Sequence, residues 1–162
     1  MRWLFIIPLM FGCQVRYSFN GGSVPAEADT FSVDYFSVVA PLADPNYGQQ
    51  LSEAYRDLLQ GQTRLSIASS SGDIHYEGVV SRYDIQPVAA SGEETTARNR
   101  LTIEVKINYF NRLEPDKDKQ LSVMQFEDFE AGSDFESVED DLVEAINEKL
   151  LQDIFDRTLG DW

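Results

Sequence analysis

Between Leu101 and Tyr109 every second residue is apolar: Leu101, Ile103, Val105, Ile107 and Tyr109 alternate with Thr102, Glu104, Lys106 and Asn108. A strand turns successive side chains to opposite faces, so this stretch demands a sheet with one covered and one wet face, which antiparallel sheets allow. The rest of the chain has to supply a single covering layer. Two helical patterns can do so. Tyr47 to Leu59 places Leu51, Ala54, Tyr55, Leu58 and Leu59 at helical spacing, with Gly61 expected as a left-handed cap just past its end. Ser133 and Glu136 have capping-box spacing and open a longer helix. In it Val138, Leu142, Ile146, Leu150 and Ile154 repeat every four residues, flanked by Ala145, Leu151 and Phe155.

The remaining strands are less regular. In Phe31 to Val39 the apolar set shifts phase after Tyr35, which suggests a bulge or burial on both faces. Leu65 and Ile67, the turn Ser69 to Asp73, and then Ile74, Tyr76, Val80 and Ile85 read as a hairpin, with a bulge near Gly78 and Val79-Val80. Residues 90 to 96 form a polar loop, and Glu114 to Lys119 turns the chain into a returning strand from Leu121 to Phe129. The expected fold is α+β: a mostly antiparallel sheet of about four strands with two helices packed on one face. A length of 162 residues suits one such domain.

The chain opens differently. Met1-Arg2 precedes nine apolar residues, Trp3 to Phe11. That run is short of the roughly 20 residues needed to span a bilayer, but it suits the apolar region of a signal peptide. Gly12-Cys13 closes it, and Leu9-Met10-Phe11-Gly12-Cys13 reads as a lipobox. Cleavage before Cys13 and a diacylglyceryl group on its sulfur are expected, with an ordinary secretory signal as the alternative. The division is then 1–12 signal peptide, 13–30 lipidated N-terminus and tether, and 31–162 a single domain. The residue after Cys13 is Gln14 and not the aspartate that retains lipoproteins at the inner membrane, so the outer membrane is expected. Several acyl chains give firm anchorage where one is marginal.

Charge and residue counts narrow the chemistry. A formal net charge of −15 argues against nucleic acid. Thirteen acidic residues against two basic ones lie between residues 127 and 162. One Cys and one His exclude disulfides, thiolate zinc sites and most histidine-based sites. His75 and Glu77 share a strand face, yet no further ligand has recognisable spacing, so His75 reads as a solvated strand residue. Glu139-Asp140-Asp141 belongs to a helix first turn, where it favours the dipole, and lacks the spacing of a calcium loop. Asp116 and Asp118 alternate with Lys117 and Lys119 and read as solvation. With no G-x-S-x-G, P-loop or G-x-G-x-x-G, no enzyme, metal or cofactor is expected beyond the lipid on Cys13. The basic residues are more suggestive. Arg82, Arg98, Arg100 and Lys106, with Arg112, Lys117 and Lys119 at the next turn, would form a positive patch able to meet phosphate or carboxylate on a lipid headgroup. Solubilising charge is the alternative for each residue taken singly.

One resemblance gathers these features. The lipobox Cys13 is followed by Tyr17 to Ser23 (YSFNGGS), Phe31-Ser32-Val33 with Phe36, the Gln49 to Leu59 helix and Gln62 to Leu65. Gly72-Asp73, Glu77-Gly78, Asn99 to Ile103, Asp153-Ile154-Phe155 and a terminal Trp162 complete the series. In order and spacing the chain resembles the LptE family of lipopolysaccharide-assembly lipoproteins. The resemblance implies a sheet with two helices, an outer-membrane anchor, a place as plug in the LptD β-barrel, and a part in lipopolysaccharide delivery. It carries no individual lipopolysaccharide-contact residue over, because no short motif holds one. Two other readings stand beside it: a lipid-anchored periplasmic adaptor of another lipid or ABC-type transport system, and a lipid-anchored hydrolase using His75.

Overall fold

A computed structural model describes residues 24–89 and 97–160; the lipobox with Cys13, the 90–96 loop and Trp162 lie outside them. The elements in order are β1 (Thr30–Val33), β2 (Ser37–Val38), α1 (Tyr47–Gln62), β3 (Ser66–Ile67), β4 (Ile74–Val88), β5 (Arg98–Asn111), a single 3-10 turn (Pro115–Lys117), β6 (Lys119–Glu130) and α2 (Phe135–Leu159). The α+β class and the two helices match expectation. The sheet differs: it has six strands, is mixed, and runs β3-β1-β4-β5-β6, with β2 also on β4. β4, β5 and β6 are antiparallel, while β1 pairs parallel with both β3 and β4, and β2 parallel with β4.

The physical reason is the crossover through α1. Ser66–Ile67 does not fold back on β4 as a hairpin; β1 lies between them. After β3 the chain turns with Ser71 at φ 59° and crosses the first half of β1, with Gly72 against the Phe31–Ser32 backbone. Asp73 fixes this crossing. Its Oδ2 accepts from the Asp29 amide at 3.0 Å, the Thr30 amide at 2.9 Å and the Thr30 hydroxyl at 2.8 Å. Those donors, the Asp29 amide first, hold the carboxyl below its ordinary range.

The Phe31–Val39 run is two strands because α1 docks against the break. Arg56 donates to the Val33 carbonyl from Nε at 3.1 Å and Nη2 at 2.5 Å. The Phe36 amide donates to Ser52 Oγ at 2.9 Å. Main-chain groups that leave the ladder there are thus satisfied by helix side chains. Phe36 is buried between α1 and the sheet, where only glycines fit. A Cβ on Gly78 would stand 2.5 Å from its ring, and one on Gly48 would overlap its carbonyl oxygen.

α1 runs through Gly61, and Thr63 ends it, its hydroxyl donating to the Leu59 carbonyl at 2.7 Å. The expected glycine cap is therefore replaced by a threonine. Asp134, not Ser133, precedes α2. Of the expected stripe on that helix, Ile146, Leu150 and Ile154 are wholly buried, and Val138 and Leu142 are partly so near its solvent-exposed start. Both helices cover one face. Tyr76 of β4 meets the Tyr55 ring edge-on at 5.0 Å and lies 3.0 Å, hydroxyl to hydroxyl, from Thr158 of α2. Ahead of β1, Ala28 is buried, and Arg64 donates to the Pro25 and Ala26 carbonyls.

The two glycines of α1 give opposite expectations. Gly48→Ala should destabilise the protein by about 1–3 kcal/mol, because the Phe36 backbone has to move. Gly61→Ala meets nothing within 4 Å and should stabilise it by about 0.5–1 kcal/mol. Urea denaturation of both variants checks the pair.

Candidate functional site

Even-numbered residues of β5 point away from the helices, so Arg98, Arg100, Glu104 and Lys106 share the open face of the sheet. β4 adds Arg82 through a bulge. Tyr76 and Val80 face inward, and in unbroken alternation Arg82 would follow them into the core. The register shift between Val80 and Arg82 puts Tyr83 inward instead and sets Arg82 opposite Glu104 on the open side. The bulge lies slightly beyond the position that Gly78 and Val79-Val80 suggest in the sequence.

The face carries charges of both signs. Arg100 holds Asp128 of β6 with two parallel bonds, Nε at 2.6 Å and Nη2 at 2.9 Å, and its guanidinium lies 3.7 Å from the Phe126 ring centre. Each partner stabilises the other's charged form: Asp128 is held below its usual range and Arg100 above. Glu104 accepts from Ser122 at 2.5 Å and Ser81 at 3.0 Å. The Ser122 bond is the largest influence holding its carboxyl down, and Lys106 and Arg82 add to it. Arg82 Nε lies 3.8 Å from Asp84. The expected positive patch is thus a ladder of alternating charge. Arg98 and Lys106 are exposed and have no ion pair within 4.0 Å among the described residues. Two apolar side chains, Met124 and Phe126, stand exposed beside the ladder.

Arg112, Lys117 and Lys119 do not join it. They lie at the far end of β5, already engaged: Arg112 with the Ser71 carbonyl, Lys117 with Glu114, and Lys119 with the Arg157 and Thr158 carbonyls. Lys119 there complements the C-terminal end of the α2 dipole. His75 lies on the open face near this end, stacked on Phe110. Glu77 is beside it as the sequence implies, but Asp34 is there too. Spacing along the chain cannot reveal Asp34; only the β1–β4 pairing brings it in. On the opposite side of the molecule, a cleft of about 440 Å³ between the helices has Ala54, Leu58, Val143 and Leu151 with Asp140 and Glu148 along it. α2 begins at Phe135, so Glu139, Asp140 and Asp141 lie past its first turn, whose acidic residue is Glu136; Glu139 accepts from the Tyr83 hydroxyl and is used structurally.

A family model described as lipopolysaccharide-assembly, LptE, matches residues 28–158. The chain belongs to the LptE family. It is a lipopolysaccharide-assembly lipoprotein by that membership, which spans nearly every described element. Curated protein sequences give no match. Solved structures share the fold at low identity. A minor lipoprotein from Acinetobacter baumannii has a TM-score of 0.51 and 13% identity, covering 79% of this chain and 90% of that one. Lipoprotein B from Nitrosomonas europaea has a TM-score of 0.57 and 9% identity, covering 88% of each chain. No helix among the described residues is long and apolar enough to cross a membrane.

The Arg100–Asp128 pair sets a pH expectation. Asp128 has a folded pKa below its unfolded value of about 3.9. Its contribution is therefore complete above that unfolded value and is lost as pH falls toward the folded one. Thermal melts from pH 6 downward should show the midpoint of Asp128→Asn falling less steeply below about pH 4 than that of the unsubstituted protein. Parallel curves would refute the assignment.

Proposed function

We propose that this LptE-family domain works at the outer membrane as the partner of an LptD-type β-barrel, supporting assembly of the barrel and delivery of lipopolysaccharide to the cell surface. The observation that carries this reading is the open sheet face. Both helices cover the other side, so a broad, polar, internally paired surface is left to meet a partner. A barrel lumen is itself polar and accepts such a face without a large apolar patch. The anchor expected on Cys13 would hold the domain next to a barrel and raise its effective concentration there.

Within that face, roles divide by pairing. Arg100 is committed to Asp128 and Phe126, and Arg82 lies between Asp84 and Glu104, so their charge is largely offset. Arg98 and Lys106 act on Asp128 and Glu104 only through space and form no ion pair among the described residues, and lipopolysaccharide phosphates are the ligand this reading assigns to them.

Two experiments test it. Tagged protein recovered from outer membranes in mild detergent should bring down a large β-barrel protein in near-equal amount. Recovery of inner-membrane transporter subunits instead would favour the adaptor reading. In a lipopolysaccharide-binding assay at low salt, Lys106→Glu and Arg98→Glu should each weaken binding several-fold while leaving the melting midpoint unchanged. Arg100→Ala should lower the midpoint. Unchanged binding in both charge reversals would remove the lipid-contact role.

A further inference from the structure

Apart from the charge ladder, one cluster on the described surface brings three metal-ligating side chains to a point. Ser32 pairs with His75 and Val33 with Tyr76, so Asp34, the residue after β1, lands beside His75 and Glu77 of β4. His75 Nε2 lies 3.8 Å from Asp34 Oδ2 and 3.7 Å from Glu77 Oε1, and the three ligand atoms are within 4.8 Å of one another. These separations are longer than the roughly 2.7–3.2 Å of a hydrogen bond. The two nitrogen-to-oxygen separations come within a few tenths of an ångström of the ligand-to-ligand edge, about 3.4 Å, that zinc bond lengths of about 2.0–2.2 Å set in a tetrahedron, and the two carboxylate oxygens, no more than 4.8 Å apart, have to draw in only modestly to complete it. Two carboxylate oxygens and an imidazole nitrogen converge on a space too wide for direct bonding and suited to a small divalent ion.

A second observation is independent of that spacing. The imidazole is held from behind: Ser32 Oγ, almost wholly buried, lies 2.8 Å from Nδ1 and accepts the Gly72 amide at 3.0 Å. A hydroxyl oxygen has two acceptor sites, so one takes the Gly72 N–H and the other can take Nδ1–H. The Ser32 hydroxyl can equally donate to Nδ1, so the contact holds the ring in either tautomer, and an ion on Nε2 selects the one with Nδ1–H, whose Nε2 lone pair faces the carboxylates. Phe110, stacked 5.9 Å away at 23°, limits rotation of the ring. An acceptor on the far nitrogen is the usual device for orienting a metal-binding histidine.

We propose that Asp34, His75 and Glu77 bind one divalent transition ion of the zinc type, with solvent completing its coordination. One imidazole with two carboxylates suits such an ion, whereas magnesium favours an octahedron of oxygens with much retained water. Bound there, the ion ties the end of β1 to β4 where the edge run breaks before β2. This inference is independent of the barrel and lipopolysaccharide reading.

The test is calorimetric titration of the untagged, chelator-stripped full chain with zinc chloride, with magnesium chloride as a parallel probe. Uptake of one zinc per chain is expected, with no response to magnesium at the same concentrations. Asp34 is exposed, so Asp34→Asn leaves the fold intact and should weaken zinc binding at least about tenfold, as should Glu77→Gln. His75→Gln should abolish it, and Ser32→Ala should weaken it by about 10–100-fold. Failure of the unsubstituted chain to take up zinc, or equal uptake by Asp34→Asn and His75→Gln, overturns the proposal.

Discussion

The structure depends on the seat of Phe36. Its ring lies against Gly78 of β4 and its main chain against Gly48 of α1, with no room for a Cβ on either. Helix and sheet therefore approach at a fixed point, and Ser52 and Arg56 take up the backbone groups released at the break between β1 and β2. With α1 pinned there, the chain returns on the far side of β1 as β3 and then crosses it to begin β4. Everything on the β4 edge follows from this path. Ser32 is set against His75, and Asp34 comes within reach of the same ring.

Features carried by local periodicity were legible in the sequence. The period-two stripe of β5 and the apolar repeat of α2 each mark a face that must be buried, and both faces are buried. Features set by long-range pairing were not. β2 and β3 are two residues long, too short for any pattern, and a parallel crossover leaves no mark in the intervening turn. Ser69 to Asp73 has the composition of a hairpin turn, yet the strand that the start of β4 pairs with on the β3 side is β1, some forty residues earlier. The same limit applies to the candidate sites. Arg98, Arg100 and Lys106 could be placed on one face from parity alone, and Arg82 joins them through the bulge. The acids that offset them, Asp128 and Asp84 among them, emerge only once strand register and side-chain contacts are known.

A ladder already paired within the monomer behaves differently from a basic patch. Enclosing isolated charges in a partner carries a desolvation cost that only new counter-charges offset. Here Arg100 and Glu104 bring their partners with them, so that cost is reduced before any other surface covers the face. Among the described residues the cations of this face without an ion pair, Arg98 and Lys106, are discrete rather than a continuous basic surface.

The overall charge of −15 opposes the approach of a polyanionic ligand. The architecture separates the signs enough to remove much of that opposition. Many of the acids lie on α2, which covers the side of the sheet away from Arg98 and Lys106. A helix with its side chains is about 10–12 Å across, while fields at physiological ionic strength are screened over about 8 Å. A phosphate arriving at the open face therefore meets the local ladder, Arg98 and Lys106 included, more strongly than the acidic outer surface of the helix. Net charge governs the approach of a polyanion from afar, and the two-layer fold governs what it encounters at contact.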